Sequence, residues 1–187
     1  MITYKDIEAE DLDSVIRLYC KYLNDGEEIV EHVRSAFTER DFIGICAYDG
    51  DKMVGFYAAQ DGVHFSYPHP ELEREMLDDV GIDDVYTADS LVVLPEYRGQ
   101  GIPYYMTEYI RKKLVANSVE YILLEAWIYP DGDAPACRSI DKMGTVVFER
   151  RVPMFYKDLA KYGMTCPLCG ANCTCGALVQ LIRVRED

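Results

Sequence analysis

Four cysteines stand close together in MTCPLCGANCTCG: Cys166, Cys169, Cys173 and Cys175. Thiolates are soft, strong ligands, and four of them close a tetrahedral site around zinc with no position left open. The first pair, C-P-L-C-G, has the form of a zinc knuckle, in which a tight turn ending in glycine aims amide N–H groups at sulfur. The second pair, C-T-C, is more closely spaced, so the site is a compact loop rather than a full ribbon. The pattern predicts a structural metal centre, zinc first. An iron–sulfur cluster, disulfides formed in air, and free thiols are the other chemistries open to the same residues.

A second concentration of chemistry is YRGQGIPYY, residues 97–105. Its glycines let backbone approach an anion, and a helix starting there would add unpaired first-turn N–H groups and the positive end of its dipole. Pyrophosphate is the expected guest. Pro103 offers no N–H, although its fixed φ suits a first helical turn. Two carboxylates complete the set. Glu125 interrupts the apolar run ILLEAW, where a charge is costly unless it is paired or used. Asp89 lies on the strand that leads to the glycine turn. A structural hydrogen-bond role is the alternative for each. His32, His64 and His69 show no metal-ligand spacing; His64 and His69, in HFSYPHP, belong to a loop that could wall a pocket.

These residues need a scaffold, and 187 residues, nearly half hydrophobic, suffice for one domain over 1–187 with the cysteine loop, 163–176, inside it. A formal charge of −14 argues against nucleic acid and anionic membrane as partners. No apolar run is long enough to span a membrane, and the acidic N-terminus lacks a signal-like apolar region, so a cytoplasmic location is expected. Cys20, Cys46 and Cys137 read as ordinary thiols.

Periodicity predicts a strand at 2–7 and an amphipathic helix at 11–24. A second helix is introduced by a capping box from Asp25 to Glu28. A hairpin follows around Asp49-Gly50. Pro68 and Pro70 break the rhythm, and Leu72, Met76 and Val80 then share a helical face that Gly81 stops. Next come a strand at 85–94, a helix at 103–116, a buried strand at 121–129, a short helix at 135–143, and strands at 145–152 and 177–185. Trp127 reads as core. The order, β-α-α-β-β-insert-β-α-β-α-β-insert-β, predicts an α/β or α+β sandwich on a mixed sheet.

With that order around it, LVVLPEYRGQGI resembles the signature of the GNAT superfamily of N-acetyltransferases. Arg98, Gly99, Gln100, Gly101 and Ile102 match its first five loop positions, and Leu91, Val93, Pro95 and Tyr97 match the approach. The resemblance extends over about residues 1–150 in element order. It implies a mixed, mostly antiparallel sheet flanked by helices, with the Cys-rich insert before the last strand as an addition. It also implies acetyl-CoA as cosubstrate, with pyrophosphate on the loop amides at 98–103. The pantetheine arm would lie along Leu91, Val92 and Val93, where the strand splays from its neighbour. An amine acceptor would attack the acetyl group directly, with Glu125 or Asp89 as general base. Two positions depart from the pattern. Pro103 stands where the family has Gly or Ala, and Ile140 stands where many members carry a tyrosine acid. Tyr156 is one of several tyrosines that could replace it from elsewhere; Ser139 and Cys137 are weaker candidates.

The sequence therefore reads as an acetyl-CoA-dependent N-acetyltransferase for a small-molecule or peptide amine. An acceptor with positive charge is hinted at by the acidic insert. The alternative is a non-catalytic CoA-binding or zinc-bearing module on the same fold. Oligomeric state, a homodimer included, stays open at this level.

Overall fold

The computed structural model describes residues 1–39, 41–66, 68–78 and 85–185, with the backbone alone for Ile140 and Asp141. In chain order the elements are β1 (Ile2–Asp6), α1 (Leu12–Tyr22), α2 (Glu27–Thr38), β2 (Ile43–Asp49), β3 (Lys52–Asp61), α3 (Pro70–Leu77), β4 (Val85–Val93), α4 (Ile102–Ala116), β5 (Tyr121–Ile128), β6 (Gly144–Val152) and β7 (Gly176–Val184). Two 3₁₀ helices, Pro135–Lys142 and Phe155–Tyr162, precede β6 and β7. The strands form one sheet in the order β1-β2-β3-β4-β5-β7-β6, antiparallel except for β4 and β5. That pair is parallel because α4 carries the chain back between them, as a parallel pair requires.

The local rules account for most of this. In α4, Met106, Ile110 and Leu114 recur one turn apart and are fully buried. Each contributes roughly 1.5–3 kcal/mol by leaving water. They seat the helix on β2, β3 and β4, and so fix where its N-terminus points. β3 is buried along its whole interior and β5 along most of its length, as befits strands covered on both faces.

Three local expectations differ from the structure. Asp25 does not cap α2, whose N-cap is Gly26. Its backbone instead pairs with Thr165, donating to and accepting from it at 3.2 and 3.0 Å. Pro70 does not merely interrupt; it opens α3, where a missing N–H costs nothing. The β2–β3 hairpin turns on Gly50 and Asp51, since Asp49 already pairs with Lys52. Val80 and Gly81 lie outside the described residues.

Two irregularities shape the centre of the sheet. Ala58 pairs with Ser90 and Gln60 with Thr87, so β4 carries one extra residue at Ala88–Asp89. Such a bulge re-aims side chains. The β4–β5 ladder also stops at Ala88 and Leu124. Beyond it β4 stays on β3 to Val93 and β5 stays on β7 to Ile128, so the two strands part.

Candidate active site and cysteine centre

Asp89 and Glu125 are the first residues past the last β4–β5 pair, one on each parting strand. Both line a cavity of about 260 Å³. Its other walls come from distant elements: Tyr19 and His32 from α1 and α2, Phe65 and Ser66 from the β3–α3 connection, Tyr156 and Met164 from the β6–β7 connection.

Glu125 is held from two sides. Ser66 donates its backbone N–H to Oε2 at 3.0 Å and its hydroxyl to Oε1 at 2.5 Å. The Tyr156 hydroxyl also hydrogen-bonds the carboxylate. Burial nevertheless pushes the Glu125 carboxyl above its ordinary value, and nearby Asp89 adds to that. Asp89 accepts from Gln60 Nε2 at 3.2 Å, and its Oδ1 lies 3.0 Å from His32 Nε2. That hydrogen bond raises the His32 imidazole against the opposing effect of burial.

His32 carries almost no signal in the sequence beyond being a polar residue beside the apolar stripe of Ile29, Val33 and Ala36. Trp127, expected in the core, is half-buried in the cavity wall instead. Glu125 and Trp127 are two apart on a strand and so share a face. The Trp127 ring is 4.4 Å from that of Tyr156. Two wall atoms, Asn24 Oδ1 and Trp127 Nε1, are buried with no hydrogen-bond partner among the described residues. Buried polar groups are rarely left so, and both atoms are available to water or a ligand in the cavity.

No Lys or Arg lines the cavity among the described residues, whereas Glu28, Asp89 and Glu125 do. His64 is in the wall, with Nε2 2.7 Å from the Asp61 carbonyl. His69 stacks on Phe155 at 4.0 Å and is no part of that wall. Ser139 donates to the Ala136 carbonyl, and burial pushes the Cys137 thiol up, so neither is an activated group.

At the end of β4 the chain makes a 3₁₀ turn and then the glycine loop. Gly99 and Gly101 adopt left-handed φ of +75° and +78°, which other residues reach only under strain. A Cβ on either would meet nothing within 4 Å, so the loop faces open space. Gly101 caps α4, and the first helical bond runs from the Tyr105 amide to the Gly101 carbonyl. The amides of Gly99, Gln100, Gly101, Ile102 and Tyr104 have no partner among the described residues. Pro103 occupies the second helical position, inside this row of free donors. Arg98 sends Nε back to the Val93 carbonyl at 3.2 Å, tying the loop to the end of β4. Leu91, Val92 and Val93 form the stretch of β4 that has left β5.

The four cysteine sulfurs lie within 4.8 Å of one another, and three of the four residues are buried. Cys169 Sγ and Cys175 Sγ are 3.6 Å apart. Zinc–sulfur bonds of about 2.3 Å give a tetrahedral edge of roughly 3.8 Å, so the donor set fits that ion. The Cys169 amide donates to Cys166 Sγ at 3.4 Å, and Gly170 turns with φ +70° to donate to the Cys166 carbonyl.

Among solved structures the chain matches N-acetyltransferases along its whole length. It is 15% identical to the ribosomal-protein-S18-alanine N-acetyltransferase of Escherichia coli, covering 100% of this chain and 96% of that one at a TM-score of 0.63. It is 16% identical to Arabidopsis thaliana NAA60 in complex with acetyl-CoA, covering all of both chains at 0.68. It is 10% identical to the acetyltransferase of GNAT family from Streptococcus pneumoniae, covering 99% and 100% at 0.63. No protein-family model matches the sequence, and no curated protein matches it significantly. The fold is thus the GNAT acetyltransferase fold, with the cysteine cluster before its last strand.

Proposed function

We propose that this chain transfers an acetyl group from acetyl-CoA to the amine of a small-molecule or peptide acceptor that carries positive charge. The observation that carries this reading is the placement of Glu125 and Asp89 as the first residues past the parting of β4 and β5. There the acetyl end of a thioester lying along Leu91, Val92 and Val93 would meet a cavity lined by carboxylates.

In this reading the amides of Gly99, Gln100, Gly101 and Ile102, with Arg98 beside them, hold the pyrophosphate. A β4 backbone N–H in the parted stretch donates to the oxyanion as the amine attacks the acetyl carbon. Glu125 takes the ammonium proton, directly or through water. Its raised carboxyl is a better match to that task than an ordinary one, and Ser66 and Tyr156 hold it in place. Asp89, already engaged by Gln60 and His32, acts through charge rather than as the base. The tetrahedral intermediate collapses, its C–S bond breaks, and the second proton shed by the nitrogen passes through water to the leaving sulfur, so that CoA departs as the thiol. The acidic, aromatic wall favours an acceptor with a cationic group. The four cysteines hold a structural zinc ion, since four thiolates leave no open position for catalysis.

Thiol release from acetyl-CoA with a panel of mono- and dications tests the assignment. Turnover that favours cationic amines supports it. Tight CoA binding with no turnover on any amine would favour the non-catalytic module.

Pro103 gives a separate prediction. Pro103→Ala restores one N–H to a row that faces the pyrophosphate. A hydrogen bond to a charged partner is worth about 1.5–3 kcal/mol. CoA should bind the variant at least as tightly as the parent, and at most roughly 10–150-fold more tightly. A clear loss in calorimetry would mean that proline's stiffening of the helix start matters more than the donor.

A further inference from the structure

The cavity wall and the cysteine centre belong to one connection. Between β6 and β7 the chain runs through the 3₁₀ helix Phe155–Tyr162 and then the cysteine loop. Phe155, Tyr156 and Leu159 are buried to within 2% exposure, and Tyr156 and Met164 reach the acceptor cavity. No helix or strand organises residues 163–175; an isolated bridge between Cys166 and Gly170 is its regular pairing within the loop. The loop leaves the 3₁₀ helix through the amides of Gly163 and Met164, which donate to the Ala160 and Leu159 carbonyls at 3.4 and 3.2 Å, and it is pinned elsewhere at three further places. Thr165, next to Cys166, pairs with Asp25 between α1 and α2. Gly163 packs so closely there that a Cβ on Gly26 would lie 2.5 Å from its carbonyl oxygen. At the other end the Tyr156 amide donates to the Cys175 carbonyl at 3.4 Å.

The first and last ligands thus sit beside the two points where this connection grips the walls. We infer that metal bound by Cys166, Cys169, Cys173 and Cys175 positions Tyr156 and Met164 in the acceptor cavity, so that acceptor binding depends on metal loading while the CoA loop at 98–103 does not. Thr165 is held on Asp25 by one bridge and Cys175 by the start of β7, but the stretch between them has no regular structure and the four thiolates are its one cross-link among the described residues. Without the metal, Met164 keeps its amide bond to the Leu159 carbonyl and Tyr156 its bond to the Cys175 carbonyl, but the bridge at Thr165 loses the support of Cys166, and the hydroxyl that Tyr156 offers Glu125 is less firmly placed. The glycine loop is fastened independently, by Arg98 to Val93 and by the buried face of α4.

This inference rests on the reading of the cysteines as a metal site and of the cavity as the acceptor site, and its test separates these. Trp127 is the only tryptophan in the chain, and its ring lies against Tyr156. Zinc would be quantified in the 187-residue chain as isolated, removed with a chelator and restored. The expected result is a shift in Trp127 emission on removal, reversed by zinc, with the far-UV signal retained. CoA affinity should stay within about twofold while the acceptor KM rises about tenfold or more. Tyr156→Leu in the metal-loaded protein should reproduce the emission shift and the rise in KM without touching a ligand. Unchanged emission after verified removal would overturn the inference. So would equal losses of CoA and acceptor binding, collapse of the whole fold on removal, or a normal acceptor KM in Tyr156→Leu. Protein that isolates without metal would refute the metal reading itself, and an emission shift without turnover on any amine would leave the wall in place and remove the enzymatic one.

Discussion

Replacing Glu125 by Gln is expected to slow acetyl transfer by about 10²–10⁴-fold, the usual worth of a positioned general base, with CoA binding intact. The amide is nearly the same shape and can accept from the Ser66 N–H while donating to the Ser66 hydroxyl, so the cavity should keep its form. The parent protein should lose rate as pH falls through a midpoint above the ordinary carboxyl value of 4.5, and the variant should lack that limb. Stability should move the other way. A carboxyl whose folded pKa is raised contributes stability that is fully present below the unfolded pKa and is lost as pH rises through the folded one. Ionised Glu125 therefore costs stability at neutral pH, and the variant should melt at an equal or higher temperature there, with the difference vanishing in acid. Steady-state thiol release and thermal melts over the acid-to-neutral range check both halves. Undiminished turnover would remove Glu125 as the base. A lower melting temperature at neutral pH would show that its bonds to Ser66 and Tyr156 outweigh its burial. A gain in stability with a loss of rate is the pattern of a site kept for function at the expense of the fold.

Gly101→Glu is expected to abolish measurable CoA binding. Two effects act together at this position. The φ of +78° costs a residue with a Cβ about 1–2 kcal/mol. The new carboxylate would also project into the open space before the amides of Gly99, Gln100 and Ile102, where the diphosphate is proposed to lie. Gly101→Ala carries the strain without the charge; it should lower stability by about 1–2 kcal/mol, and since binding at most has to restore a turn that the free loop relaxes, affinity should fall by no more than about 5–30-fold. Calorimetry with CoA on both variants separates the two effects. Parental affinity in Gly101→Glu would mean that the pyrophosphate lies elsewhere.

The amino-acid sequence by itself determined what depends on neighbours in the chain. Periods of 3.6 and 2 marked the strands and the helices α1, α2 and α4 to within about two residues, and their order implied the sheet, but the 3₁₀ helix Phe155–Tyr162 that carries Tyr156 gave no such signal. The glycines of R-G-Q-G-I marked the left-handed turns at Gly99 and Gly101, because only glycine takes that backbone freely. Four cysteines so closely spaced along the chain cannot be far apart in space, so their clustering is legible from spacing alone.

Tertiary structure decided what depends on register and long-range packing. His32 meets Asp89 across 57 positions, and Ser66 meets Glu125 across 59. Neither pair has a local signal, since the bulge at Ala88–Asp89 sets where the Asp89 side chain points, and bulges leave little trace in composition. The same holds for Asp25, where a good capping box lost to backbone pairing with Thr165, and for Trp127, whose apolar run hid a place in the cavity wall. The loop, the strands and the cysteines were readable because each is a local pattern. The acceptor cavity was not, because it is built from five separate parts of the chain that only the completed sheet brings together.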